Sequence, residues 1–149
     1  MLRRQLPVRS PLGLGALFRG LRTAATGGQG DREALAARIR DTWGARTVVL
    51  TDSGTSALAL AMMASAPAGR PPCVVLPAWG CFDLATAALA AGARLRFCDV
   101  TPATLNPHLG SLGLVAAAAD AVVMAHWFGL PVDAEAVRAH AHGALLIDD

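Results

Sequence analysis

Apolar and polar positions along the chain change rhythm from segment to segment, and that rhythm predicts the elements. Leu35, Ile39 and Trp43 recur at helical spacing after Asp31, which is placed as an N-cap, and Gly44 ends the helix. Glu33 falls one residue short of capping-box spacing but sits in the first turn, where a carboxylate favours the helix dipole. From there short apolar runs alternate with longer helical stretches. Strands are expected at Thr47–Leu50, Cys73–Leu76, Arg94–Val100, Ala121–Ala125 and Ala144–Ile147. Helices are expected at Ala57–Ser65, at Phe82–Ala91 with Gly92 as the stop, and from an Asp133 cap to about His142. Residues 101–119 are less regular, with a short Leu/Ala helix at their end. Strands alternating with helices of roughly ten residues mean βαβ units and an α/β fold about a mainly parallel sheet.

The first 30 residues differ. They hold Arg3, Arg4, Arg9, Arg19 and Arg22, no acid, and several Pro and Gly. The expectation is an Arg/Pro/Gly-rich N-terminal arm over 1–30, flexible at residues 26–30, and a folded domain over 31–149. The arm lacks the apolar core of a secretory signal.

A chain of 149 residues that is 54% hydrophobic suits one folded domain with heavily buried elements. No apolar run reaches the ~18 residues a membrane helix needs. The longest, from Leu112 to Pro131, is broken by Asp120 and His126. Neither a membrane nor a nucleic-acid partner is expected. Cys73, Cys81 and Cys98 form no CxxC pair, so no metal site is expected, and small buried thiols in a reducing cytosol are the default. All 13 basic residues are Arg. With no Lys, these residues offer no side-chain amine for a Schiff base, and no catalytic residue is assigned among them.

Four segments carry candidate chemistry, each at a strand end. Ser53-Gly54-Thr55-Ser56 joins the first expected strand to a helix, where free N–H groups and two hydroxyls make a phosphate cradle, or else simply a helix cap. Pro77-Ala78-Trp79-Gly80-Cys81-Phe82 follows the second, and its aromatics can stack on a flat cofactor or fill core. His126 opens His126-Trp127-Phe128-Gly129 after the fourth, as a ligand contact or a structural hydrogen-bonding group. Asp148-Asp149 follows the last strand, as a solvated pair or as an acid facing a protonated ring nitrogen. Neither GxxxxGK[ST] nor GxGxxG after a strand occurs.

Together these pieces resemble the DegT/DnrJ/StrS-type nucleotide-sugar aminotransferases, pyridoxal phosphate enzymes of fold type I. The match runs in order through Asp52-Ser53-Gly54-Thr55-Ser56-Ala57-Leu58, Val75-Leu76-Pro77-Ala78-Trp79, Phe97-Cys98-Asp99-Val100, Thr101-Pro102-Ala103-Thr104-Leu105-Asn106, His126-Trp127-Phe128-Gly129 and Ile147-Asp148-Asp149. The resemblance implies the three-layer large domain of that fold, incomplete at the C-terminus. It implies pyridoxal 5'-phosphate as cofactor, with Gly54, Thr55 and Ser56 at its phosphate and Asp149 at its ring nitrogen. His126 is included among the cofactor-binding residues. The ring-stacking aromatic of the family falls at Cys81, so Phe82 or Trp79 would supply the ring face, or the Cys81 sulfur would pack there.

The implied reaction moves an amino group from an amino acid, expected to be glutamate, to a keto-sugar nucleotide, in a cytoplasmic homodimer. The Schiff-base lysine of the family lies beyond the position of Asp149. On that comparison the chain is the N-terminal part of a larger enzyme, inactive alone, and Thr47–Leu50 would lack the strands it pairs with. A sugar dehydratase of the same family and a non-catalytic binding module are the alternatives.

Overall fold

The computed structural model describes residues 12–149. They divide into a unit ending at Leu50 and a unit spanning Thr51–Asp149.

The first unit holds α1 (Leu14–Ala25) and α2 (Gln29–Trp43). Neither buries a residue. The composition of this stretch suggests an irregular arm, yet Leu14–Ala25 is helical. The helix runs through Gly15 and Gly20, each at the propensity cost of a glycine in a helix. Helix α2 starts two residues before the expected cap, from Gly28 in the left-handed region, and Asp31 lies in its first turn. There its carboxylate accepts the Thr23 hydroxyl at 2.5 Å. Gly44 ends α2 with φ of 63°, as its position predicts. Thr47–Leu50 forms no strand. Four β-prone residues have no ladder to join among the described strands, and propensity without a partner does not make a strand.

The second unit is built on four parallel strands: β1 (Cys73–Pro77), β2 (Arg94–Cys98), β3 (Ala121–Met124) and β4 (Leu145–Asp148). Their spatial order is β2-β1-β3-β4. Helices α3 (Gly54–Ala64), α4 (Phe82–Ala90), α5 (Leu109–Ala116) and α6 (Ala134–His140) complete it. Every residue of β1 and β3 is buried, as expected of central strands covered on both faces.

The period-2 alternation of strand side chains sorts those residues into two cores. Val74, Leu76, Ala121, Val123, Ala125 and Ile147 pack with Leu58 and Met62 of α3 and Leu84 and Ala88 of α4. Val75, Val122 and Met124 pack on the other face with Leu112 and Ala116 of α5 and Val137 of α6. The result is the expected three-layer α/β arrangement.

Chain direction places the functional edge. From β1 the chain crosses on the α4 side to β2, then returns on the α5 side to β3 and continues by α6 to β4. The strand order therefore reverses between β1 and β3, and such a switch point opens a crevice at the carboxyl ends of the strands.

Two contacts pin the sheet at opposite ends. At the amino ends, Arg70 makes a bidentate pair with Asp120, at 2.8 and 2.7 Å, and Asp120 also accepts the N–H of buried Cys73 at 2.7 Å. At the carboxyl ends, the Trp127 ring lies over Gly80, whose φ is 150°. A Cβ on Gly80 would overlap Trp127 Cζ2. Trp79 meets the same ring edge-on at 5.7 Å between centroids.

Removal of the Asp120 carboxylate leaves the Cys73 N–H without its partner, so Asp120→Ala should cost about 1–3 kcal/mol in urea unfolding at neutral pH. The Arg70 hydrogen bonds, then the Cys73 N–H, hold the Asp120 carboxyl below its ordinary 3.8. This contribution is present above that value and is lost as pH falls through the lower folded value, so the gap between wild type and variant should narrow well below pH 3.8. A gap that does not change with acidification would contradict the assignment. Gly80→Ala should destabilise by about 1–3 kcal/mol through overpacking. Combining it with Trp127→Leu should recover part of that loss, whereas simple additivity in the double mutant would show that the two residues do not interlock.

Candidate functional site

Three loops and one helix end meet at the carboxyl edge of the sheet. A cavity of about 300 Å³ there is lined by Gly54, Thr55, Leu58, Cys81, Asp83, Leu84 and Asp149. Four of the seven residues that the sequence assigns to a cofactor (Gly54, Thr55, Cys81 and Asp149) share this one space. The cavity lies on the α3/α4 face, since Leu58 and Leu84 belong to the core of that side.

Helix α3 supplies the donors. Ser53 caps it, accepting the Ser56 N–H at 3.1 Å through its hydroxyl and the Ala57 N–H at 3.0 Å through its carbonyl. That leaves the Gly54 and Thr55 N–H groups, which have no intrahelical partner, at the cavity wall. No hydrogen bond occupies the Thr55 hydroxyl among the described residues. Ser56 is placed differently. Its hydroxyl receives the Ser53 hydroxyl at 3.0 Å and binds the Asp52 carboxylate. This bond, with help from backbone N–H groups, holds the Asp52 carboxyl below its ordinary range. Ser56 thus serves the cap and does not line the cavity.

The loop after β1 supplies Cys81, the N-cap residue of α4, and Asp83 in its first turn. The Cys81 thiol lies 3.5 Å from Asp83 Oδ2 as donor. Of the three residues weighed for a ring face, only Cys81 lines the cavity. Phe82 is 77% exposed and Trp79 packs on Trp127. Asp83 escapes sequence reasoning, because an acid in a first helical turn is accounted for by the helix dipole alone. Its spacing of two from Cys81 was the available signal.

The acid pair divides between the faces. Ile147 points into the α3/α4 core, so Asp149, two residues on, projects to that side and into the cavity. Asp148 takes the other side with Leu146 and binds His126 Nε2. His126 Nδ1 accepts the N–H of Val132, a residue of the α5/α6 core, at 3.0 Å. His126 therefore does not line the cavity, although the sequence groups it with the cofactor-binding residues. The strand ends are tied by the His126 N–H to the Asp149 carbonyl at 3.1 Å and the Asp149 N–H to the Met124 carbonyl at 2.9 Å.

A larger cavity, about 420 Å³, lies among Thr104, His108, Leu109, Val132 and Val137. It is the weaker candidate, because it holds none of the residues that the sequence assigns to a cofactor and two of its polar side chains serve as helix caps. His108 Nδ1 caps α5 by accepting the Ser111 N–H at 3.2 Å, and Asp133 caps α6 by accepting the Ala136 N–H at 3.0 Å. Among the described residues no group of His, Cys, Asp and Glu is placed to hold a metal ion. No described helix is long and apolar enough to cross a membrane.

The chain is similar in sequence and fold to known proteins. Over 105 residues the chain is 37% identical to a dTDP-4-dehydro-2,3,6-trideoxy-D-glucose 4-aminotransferase of Saccharopolyspora spinosa, covering 68% of this chain and 27% of that protein. The crystal structure of the sugar aminotransferase CalS13 from Micromonospora echinospora superposes with a TM-score of 0.56 at 35% identity, over 64% of this chain and 28% of that one. A GDP-4-keto-6-deoxy-D-mannose-3-dehydratase of E. coli, solved with bound hydrated PLP, shares the fold at a TM-score of 0.64 and 22% identity, over 78% of this chain and 32% of that one. The chain thus spans between a quarter and a third of the length of these relatives. The sequence model of the DegT/DnrJ/EryC1/StrS aminotransferase family matches residues 22–149, the whole sheet and every cavity residue included, and the chain belongs to that family.

Proposed function

We propose that residues 51–149 form the cofactor-holding part of a pyridoxal phosphate-dependent sugar aminotransferase. In this reading an amino group passes from an amino-acid donor, expected to be glutamate, to a keto-sugar nucleotide. The observation that carries the reading is the convergence of Gly54, Thr55 and Asp149 on one cavity at the carboxyl ends of the strands. The identity to two aminotransferases, at 37% and 35%, favours amino transfer over dehydration.

The residues fit the group chemically. Free N–H groups at the start of an 11-residue helix, with the Thr55 hydroxyl beside them, suit a phosphate. An exposed carboxylate at a strand end suits a protonated pyridine nitrogen. A cavity near the lower end of the ligand-pocket range, about 300–1,000 Å³, suits a small cofactor better than a nucleotide sugar.

When bound, pyridoxal phosphate acts as an electron sink for the carbon undergoing amino transfer. The work of this chain is to hold it. Gly54 and Thr55 would bind the phosphate. Asp149 would keep the ring nitrogen protonated. Cys81 would give the ring a sulfur contact in place of an aromatic face. The amine of the reaction is not among these residues, which contain no lysine, and without it they would not turn over substrate. Exposed Phe82, Phe128 and Trp79 at this edge support a second copy of the enzyme seated over the site. The nucleotide-sugar substrate would approach from the same open edge.

Titration of the chain with pyridoxal phosphate, followed by tryptophan fluorescence, tests the reading. Thr55→Ala and Asp149→Ala should each weaken binding by about tenfold or more. Binding unchanged by both substitutions would contradict the placement of the cofactor.

A further inference from the structure

His126 and Asp148 form a bonded pair of side chains at the site edge that does not line the cavity. Their geometry is specific. His126 Nδ1 accepts the Val132 N–H at 3.0 Å, so that nitrogen carries no proton. Nε2–H must then be the donor to Asp148 Oδ1. The ring is a neutral imidazole with both nitrogens engaged, and its tautomer is set by its neighbours. Between His126 and Val132 the chain makes a tight turn in which Phe128 takes a φ of 57°. A bulky residue holds such a conformation only where its surroundings over-determine it. The bond from the His126 ring to Val132 spans this turn.

The same residue also grips β4. Its N–H donates to the Asp149 carbonyl, and its ring binds the side chain of the preceding residue, Asp148. Residues 148 and 149 project to opposite faces of the strand. Fixing Asp148 on the α5/α6 side therefore fixes the direction in which Asp149 leaves on the α3/α4 side. We propose that His126 is a positioning residue, whose ring, clamped between Val132 and Asp148 behind the sheet, aims the Asp149 carboxylate into the cavity in front of it. The functional consequence rests on the reading of Asp149 as the partner of the cofactor ring nitrogen.

The test compares His126→Ala, His126→Gln and Asp149→Ala in the 149-residue chain by two readouts. The first is amide hydrogen exchange at Val132 and Asp149 without cofactor. The second is the pH at which bound pyridoxal phosphate loses its ring proton, read from its absorption spectrum. His126→Ala should speed exchange at both amides, weaken pyridoxal phosphate by about tenfold and lower that pH by about one unit, because the carboxylate no longer faces the ring. His126→Gln, whose amide can still donate to Asp148, should recover most of both effects. Asp149→Ala should reproduce the cofactor effects and leave Val132 exchange as in wild type.

Weaker binding by His126→Ala with an unmoved deprotonation pH would reduce His126 to a structural residue and overturn the proposal. Unchanged exchange at Asp149 would overturn it equally. If Asp149→Ala leaves pyridoxal phosphate binding intact, the cofactor reading falls, and exchange at Asp149 alone then decides whether His126 sets the strand end. Should His126→Ala fail to fold, Asp148→Ala replaces it with the same expectations for Asp149 exchange and for the cofactor, while the Val132 amide keeps its bond to His126 Nδ1.

Discussion

The burial of β1 and β3 on both faces is the constraint on which everything else depends. Val74 and Leu76 must meet α3 and α4 while Val75 must meet α5 and α6, and neither demand can relax without opening a core. Satisfying both puts helices on the two sides and forces the connections to diverge from β1. The loops after β1 and β3 and the end of β4 then emerge at one edge, beside the N-terminus of α3. The site is a by-product of that geometry, which is why residues distant in sequence, such as Thr55 and Asp149, come to line 300 Å³ of shared space.

Polar chemistry at this edge is layered around the sheet plane. In front stand the unsatisfied N–H groups of α3, the Thr55 hydroxyl, the Cys81 thiol and the carboxylates of Asp83 and Asp149. Behind stand groups whose bonds are already made, His126 with Asp148 and Val132. Ser53, Ser56 and Asp52 form a third set, closed on itself, that secures the end of α3. The cavity side thus keeps donors and acceptors that have no partner among the described residues, beside the Cys81–Asp83 pair, and the other two sets are bonded within themselves. The three thiols follow the same division. Burial in the rear core pushes the Cys98 thiol up to about 11, and Cys73 is buried in β1, whereas Cys81 is exposed at the cavity.

The sheet was legible because its apolar runs are short, β-branched and separated by helix-length segments. Four of the five expected strands formed, within one or two residues of their expected bounds. Thr47–Leu50 carries the same local signal and failed, since a strand is defined by its partner and no local pattern encodes one. Leu14–Ala25 shows the converse: a helix formed where Arg and Gly composition suggested none, because propensity costs of two glycines are smaller than composition alone implies. Gly54, Thr55, Cys81 and Asp149 line one cavity, Cys81 and Asp149 just beyond strands that formed, Gly54 and Thr55 at a helix start whose expected preceding strand did not. Ser56 and His126 have the right residue types in the right segments, and what sequence could not supply was that Ser56 would turn to the cap of its own helix and His126 to the other face of the sheet. One residue of phase along β4 separates Asp149 in the cavity from Asp148 behind it.

The measurement closest to the central claim is protection of Cys81 from alkylation. With iodoacetamide, Cys81 should react well before Cys73 and Cys98, which are 3% and 1% exposed. Saturating pyridoxal phosphate should slow the reaction at Cys81 by about tenfold or more while leaving the two buried thiols unchanged, because only Cys81 shares the cavity with Thr55 and Asp149. Alkylation of Cys81 at the same rate with and without pyridoxal phosphate, at concentrations where fluorescence shows it bound, would place the cofactor elsewhere and contradict the account.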